Sequence, residues 1–159
     1  MMRVGFGYDV HALVANRSLI LGGIHIPYLF GLQGHSDADV LIHAICDALL
    51  GAIAEGDIGR HFPDTDPQYR DIKSTLLLKK AMTKVKEKGF RLLNVDSTIV
   101  AQKPKLQDFI PRMVNEIAHV LEIDATRINV KATTTEGLGF TGRGEGIAAY
   151  AVALVEENN

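Results

Sequence analysis

The sequence predicts an α+β fold, a mixed β-sheet with helices packed on one face, formed by a single domain over residues 1–159. Segments with helical apolar periodicity at 38–53, 74–88 and 108–121 are interleaved with strand-like runs, the order expected when helices cover a sheet. No tandem repeat, low-complexity tract or linker divides the chain, which is long enough to bury roughly two thirds of its unfolded surface.

Residues 3–11 alternate as a strand does. Residues 18–21 and 24–27 flank Gly22-Gly23 as a hairpin, and 31–34 read as a loop. The first helix begins near Ser36 or Asp37, and 56–69, with Pro63, Pro67 and several Asp, has loop composition. The second helix carries Leu77, Leu78, Ala81, Met82 and Val85 on one face and stops at Gly89, a left-handed cap. A strand at 94–101 leads into Lys103-Pro104-Lys105, and the third helix turns Ile110, Met113, Ile117 and Leu121 inward. Strands at 128–133 and 147–155 bracket 137–146, where five of ten residues are glycine.

The formal charge is −2 without a Lys/Arg-rich run, which argues against nucleic acid and membrane surfaces as partners. Cys46, the only cysteine, excludes an internal disulfide framework, and its apolar helix suggests packing. Residues 1–9 enter a strand pattern with no signal peptide before it, and nothing approaches the roughly 20 apolar residues of a membrane span. The expectation is a soluble cytoplasmic protein of bacterial type; a plastid form would need a transit peptide outside this chain.

Asp39, His43 and Asp47 recur every four residues along a segment that is otherwise apolar, so they form one stripe on a buried helix. Buried ionisable groups must face one another, a metal or a wet cleft. Asp9 and His11 leave the same face of their strand about 7 Å apart. With His43 they make two imidazoles and a carboxylate, a set suited to zinc with a fourth position open, and Asp39 or Asp47 could hold the free imidazole nitrogen. His35-Ser36-Asp37 reads as an N-cap and as an anion site, where amides and the helix dipole meet phosphate. Asp57-Ile58-Gly59 and the run Phe62 to Asp66 are turn chemistry, and carboxylates there also suit sugar-like hydroxyls. Thr133-Thr134-Thr135-Glu136 places a carboxylate at a strand end, where it could hold magnesium together with substrate phosphates. The glycine-rich loop matches no Walker or dinucleotide motif.

Together Asp9-Val-His11, Gly34-His-Ser-Asp-Ala-Asp-Val40 with His43, Gly56-Asp-Ile-Gly59, Phe62-Pro-Asp-Thr-Asp66, Lys131-Ala-Thr-Thr-Thr-Glu136 and Gly142-Arg-Gly-Glu-Gly-Ile147 resemble the 2-C-methyl-D-erythritol 2,4-cyclodiphosphate synthases over the whole chain. The resemblance implies a phosphorus-oxygen lyase of the non-mevalonate isoprenoid pathway. Its substrate would be 4-diphosphocytidyl-2-C-methyl-D-erythritol 2-phosphate, and its products the cyclic diphosphate and CMP. It implies a Bacillus chorismate mutase-like fold and a homotrimer with active sites between subunits. It further implies zinc on Asp9, His11 and His43 and magnesium or manganese on Glu136. His35 and Thr134 would stabilise the transition state. Ser36, Asp57, Gly59, Phe62, Asp64 and Asp66 would contact phosphate and erythritol; Ala101, Pro104, Lys105, Leu106 and Thr133 would contact the cytidine phosphate. Phe140 and Arg143 complete the expected substrate contacts, and Arg143 with Glu145 would line a threefold axis suited to an isoprenoid diphosphate. Without the resemblance, the same residues also fit a zinc-dependent phosphoesterase or a trimeric small-molecule-binding protein.

Overall fold

The computed structural model describes residues 1–158. In chain order the elements are β1 (Met2–Ala15), β2 (Leu19–Leu21), β3 (Ile24–Ile26), β4 (Phe30–Leu32), α1 (Val40–Ala52), α2 (Ile58–His61), α3 (Ser74–Glu87), β5 (Phe90–Val100), α4 (Ile110–Leu121), β6 (Ile128–Thr133), α5 (Gly139–Gly142) and β7 (Gly146–Glu157). Five strands form one sheet in the order β4-β1-β7-β5-β6, while β2 and β3 pair separately. Only β5 and β6 run parallel. A parallel pair needs a crossover, and α4 supplies it. The mixed sheet and the hairpin expected from the sequence are both present.

The sheet has two unlike faces. Along β1 the odd positions point toward the helices, whereas Val4, Phe6, Tyr8 and Val10 are exposed on the other side. Helix α1 packs on β1 and β7, α3 on α1 and β5, and α4 on β6, so the helices cover one face as expected. Contact between α1 and β1 is backbone on backbone. A Cβ at Gly5 or Gly7 would lie 1.8 Å from the Ala48 or Ala44 carbonyl oxygen. Glycine on the strand and alanine on the helix therefore set the close approach that brings His43 over Asp9.

Several boundaries differ from expectation. Gly31, read as loop, lies in β4 opposite Val14, where a Cβ would meet the Arg17 and Ser18 carbonyls at 2.4 Å. Helix α1 begins at Val40 with Asp39 as its N-cap, not at Ser36 or Asp37, because Ala38 takes a left-handed φ of 56°. Ser36 and Asp37 instead close tight turns by accepting the amides of Ala38 and Asp39. The segment 56–69 contains the single turn α2, capped by Asp57, and the glycine-rich loop contains the single turn α5. Strand β5 starts at Phe90 and tolerates a bulge between Leu92 and Asn94. A 3-10 turn at Gln107–Phe109 precedes α4, which opens with Pro at its start. Gly89 is left-handed at φ 80°, as expected for a helix stop. Among the described residues no helix is long and apolar enough to cross a membrane.

Candidate active site

Strand β1 and helix α1 together build a compact ligand set. Asp9 Oδ2 lies 2.9 Å from His11 Nε2 and 3.0 Å from His43 Nδ1, and the two nitrogens are 3.2 Å apart. All three residues are half-buried. A tetrahedral ion with ligands about 2.0–2.1 Å away separates them by about 3.3–3.4 Å, so this triad fits a divalent metal with adjustments of a few tenths of an ångström. The donor chemistry agrees: two imidazoles and one carboxylate leave one position for an exogenous ligand.

Each imidazole is oriented by its second nitrogen. His11 Nδ1 is 2.8 Å from the Gln33 carbonyl oxygen, so it donates there and leaves Nε2 for the centre. A Cβ at Gly34 would stand 3.2 Å from the His11 ring and 2.9 Å from Ala38 Cβ, so glycine lets the loop pass. His43 Nε2 is 2.8 Å from Ser74 Oγ and 3.2 Å from Ser36 Oγ. The expectation that Asp39 or Asp47 would hold that nitrogen is corrected. Asp39 accepts the amides of Gly22, Gly23 and Ile42, and Asp47 accepts the Ile58 amide at 2.7 Å. The carboxyl of Asp39 thus caps the α1 N-terminus, and His35 and Ser36 line the cavity beside it.

Burial pushes the Asp9 carboxyl up, but hydrogen bonds and positive charge from His11 and His43 more than reverse this and hold it at about 2. For His11, burial pushes down and the Asp9 carboxylate overrides it, so its pKa is raised. Burial raises Asp39 to about 7, with the charge of Asp37 adding to it and the Gly23 and Ile42 amides opposing. Burial also raises Asp47 and drives the Cys46 thiol well up, which agrees with Cys46 as a packing residue.

The triad opens into a cavity of about 380 Å³ that is also lined by His35, Ser36, Gly59, Phe62 and Asp64. His35 Nε2 donates to the Asp66 carbonyl oxygen at 3.2 Å, and the Arg17 guanidinium donates to the carbonyls of Gly34 and Ser36 on either side of it. A second cavity of about 370 Å³ gathers Ala101, Pro104, Lys105, Leu106, Thr133 and Thr134. The two cavities share no residue. Asp9 and Ile99 both pair with Ala149, so the centre and the β5–β6 end lie at one end of the sheet, two to three strands or roughly 10–14 Å apart. The remaining expected residues stand outside both cavities. Asp57 and Asp66 accept the amides of Arg60 and Gln68 in their own turns, Glu136 is exposed with its amide on Thr134 Oγ1, and Phe140 faces a third cavity with Tyr8 and Tyr150. Arg143 Nε donates to Glu145 Oε1 at 2.8 Å. Ser74, Gln33 and Arg17 were missed from sequence: a helix-opening Ser and a loop Gln carry no spacing signal toward histidines 31 and 22 positions away, nor Arg17 toward the carbonyls of Gly34 and Ser36.

Residues 2–156 match the YgbB family. The 2-C-methyl-D-erythritol 2,4-cyclodiphosphate synthase of Geotalea uraniireducens is 65% identical over 155 residues, 98% of this chain and 99% of its own. That of Bacillus pumilus is 60% identical over 157 residues, 99% of each chain. Among solved structures, the bifunctional IspDF from Campylobacter jejuni superposes with a TM-score of 0.96 at 48% identity over all of this chain, which spans only 43% of that protein. The CDP complex of IspF from Plasmodium falciparum gives a TM-score of 0.88 at 34% identity, covering 99% of this chain and 97% of that one. On this match and these identities, the chain belongs to the YgbB family.

Proposed function

We propose that this chain converts 4-diphosphocytidyl-2-C-methyl-D-erythritol 2-phosphate into 2-C-methyl-D-erythritol 2,4-cyclodiphosphate and CMP, as a phosphorus-oxygen lyase of the non-mevalonate pathway. The observation that carries the reading is the Asp9, His11 and His43 centre with one coordination position left over, in a cavity that also holds His35 and Ser36. In this reaction the nucleophile belongs to the substrate. An oxygen of its 2-phosphate forms a bond to the β-phosphorus, the bond from that phosphorus to the CMP oxygen breaks, and CMP leaves with that oxygen. No protein nucleophile is required, so the residues bring two anions together and stabilise charge on a phosphoryl centre.

Asp9, His11 and His43 would hold zinc, which would supply Lewis-acid polarisation of a phosphate oxygen, and Glu136 would hold magnesium or manganese, which would supply charge neutralisation on the substrate phosphates. Ser36 and His35 bind phosphate, and His35 with Thr134 stabilises the charge that develops. Gly59, Phe62 and Asp64, with Asp57 and Asp66 from the adjoining turns, enclose the erythritol. Ala101, Pro104, Lys105, Leu106 and Thr133 hold the cytidine phosphate, and Phe140 and Arg143 complete the substrate contacts.

The reading includes a homotrimer with active sites between subunits, in which the two sets of residues that the substrate needs would come from adjacent chains. The uncovered sheet face supports it, since Val4, Phe6, Tyr8, Val10, Tyr150 and Val152 expose a contiguous apolar strip. Arg143 and Glu145 then approach their copies at the threefold axis, where an isoprenoid diphosphate is a suitable ligand. The whole chain acts as one catalytic domain, in the cytoplasm.

The test is turnover of the cytidine substrate in ¹⁸O-labelled water with zinc and magnesium. CMP with unlabelled cyclic diphosphate is expected. Label in the product would identify a phosphoesterase, and binding without turnover a non-catalytic protein.

A further inference from the structure

Behind His43 stands a chain of two polar groups, the buried Ser74 and the half-buried Asp37. Ser74 is fully buried at the first residue of α3 and does not line the cavity. Its hydroxyl donates to Asp37 Oδ1, and Asp37 Oδ2 accepts the Ser74 amide at 3.0 Å, so one carboxylate grips both polar groups of this serine. A serine hydroxyl has one proton. With that proton committed to Asp37, Ser74 Oγ can only accept from His43 Nε2, 2.8 Å away. Nε2 must then carry a proton, so Nδ1, 3.0 Å from Asp9 Oδ2, is the nitrogen left for the ion.

We propose that Asp37 and Ser74 are positioning residues for the metal centre, a carboxylate–serine relay that fixes the His43 tautomer with Nδ1 free for the ion. The inference rests on reading the triad as a zinc centre. The relay also links fold to site: Asp37 in the loop before α1 ties the start of α3 to a histidine on α1, so the two helices set the ring together. Ser36 Oγ, 3.2 Å from the same nitrogen, already accepts the Ala38 amide and has no carboxylate behind it. It is the weaker partner and remains available to a ligand in the cavity.

The experiment measures the zinc dissociation constant by competition with a chromophoric chelator for the unmutated protein, Ser74→Ala, Ser74→Thr, Asp37→Asn and His43→Ala. Ser74→Ala is expected to weaken zinc about 10–100-fold, as loss of such outer partners does, and Ser74→Thr to restore it by returning the hydroxyl. Asp37→Asn should fall between them. Ser74→Ala with unchanged affinity overturns the relay. Equal affinity of the unmutated protein and His43→Ala, or no zinc binding at all, overturns the zinc reading itself. A second measurement does not depend on the variants folding. In the zinc-loaded unmutated protein, long-range ¹⁵N spectra should show His43 metallated at Nδ1 and protonated at Nε2. Metallation at Nε2 overturns the proposal.

Discussion

The carboxylate of Asp39 reaches from the start of α1 to the hairpin turn, with Oδ2 2.7 Å from the Gly23 amide and Oδ1 3.0 Å from that of Gly22. A third amide, Ile42 N, completes its partners at 3.1 Å. It is therefore a structural clasp between the separate β2–β3 sheet and the helix that carries His43. Asp39→Ala should cost about 3 kcal/mol or more in urea unfolding, because three donors lose their acceptor in or next to the core. A loss below about 1 kcal/mol would show that water replaces the clasp.

The misreading of Asp39 indicates what the sequence could and could not reveal. Period-four spacing places Asp39, His43 and Asp47 on one stripe, and they are on one stripe. Which neighbour each one meets depends on loops packed from elsewhere: Gly22-Gly23 for Asp39, Ile58 for Asp47, and Ser74 for His43. Periodicity within a helix carries no information about those partners. The triad was legible because two of its members share a strand face and the third is the only histidine on the buried helix. Strand β4 was illegible because Gly31 lies there for close backbone approach, so the position that should show alternation has no side chain.

Gly7→Ala should both destabilise the protein and loosen metal binding. The new Cβ would fall 1.8 Å from the Ala44 carbonyl, and a helix backbone cannot yield as a flexible side chain would. The expected cost is about 3 kcal/mol or more, at or above the upper end of the usual range for overpacking. Ala44 adjoins His43 and Gly7 is two residues from Asp9, so any shift of α1 also spreads the triad. Unfolding midpoints and zinc content should fall together, and normal zinc affinity in the variant would detach the helix–strand spacing from the site.

Glu136→Gln should lower turnover and raise the magnesium concentration needed for half-maximal rate, with zinc content unchanged. The carboxylate is exposed three residues after β6 and belongs to neither cavity, which suits an ion held chiefly by substrate phosphates. Magnesium titrations of the rate, with zinc measured by mass spectrometry, check this. An unaltered magnesium response removes Glu136 from that role.

Phe6→Glu should dissociate the proposed trimer. Phe6 is 62% exposed on the uncovered sheet face and packs its ring 6.2 Å from Tyr150. Three carboxylates buried against apolar neighbours at a symmetric interface would be strongly unfavourable. Light scattering at micromolar concentration should give a trimer for the unmutated chain and a smaller species for the variant, with turnover lost because each cavity then lacks its neighbour. A monomeric unmutated chain that turns over substrate would reject shared sites.

The triad should respond to pH in opposite senses with and without metal. In the metal-free protein the Asp9 carboxyl is held at about 2, below its ordinary 3.8, so its contribution to stability is present above 3.8 and is lost as pH falls through 2. His11 is raised above its ordinary 6.5, so its contribution is full below 6.5 and is lost as pH rises through the folded value. Both contributions are present together only between those limits. Asp9→Asn should accordingly cost the metal-free protein more at about pH 5.5 than at about pH 8. Zinc must displace protons from the imidazoles, and the raised His11 value makes this harder in acid. The rise in melting temperature on adding saturating zinc should therefore be larger at about pH 8 than at about pH 6. Scanning fluorimetry on stripped and reloaded protein reads both differences. A zinc-induced rise that is flat across this range, or larger at the acidic end, would mean that His11 is not displaced of a proton by the ion and so is not one of its ligands.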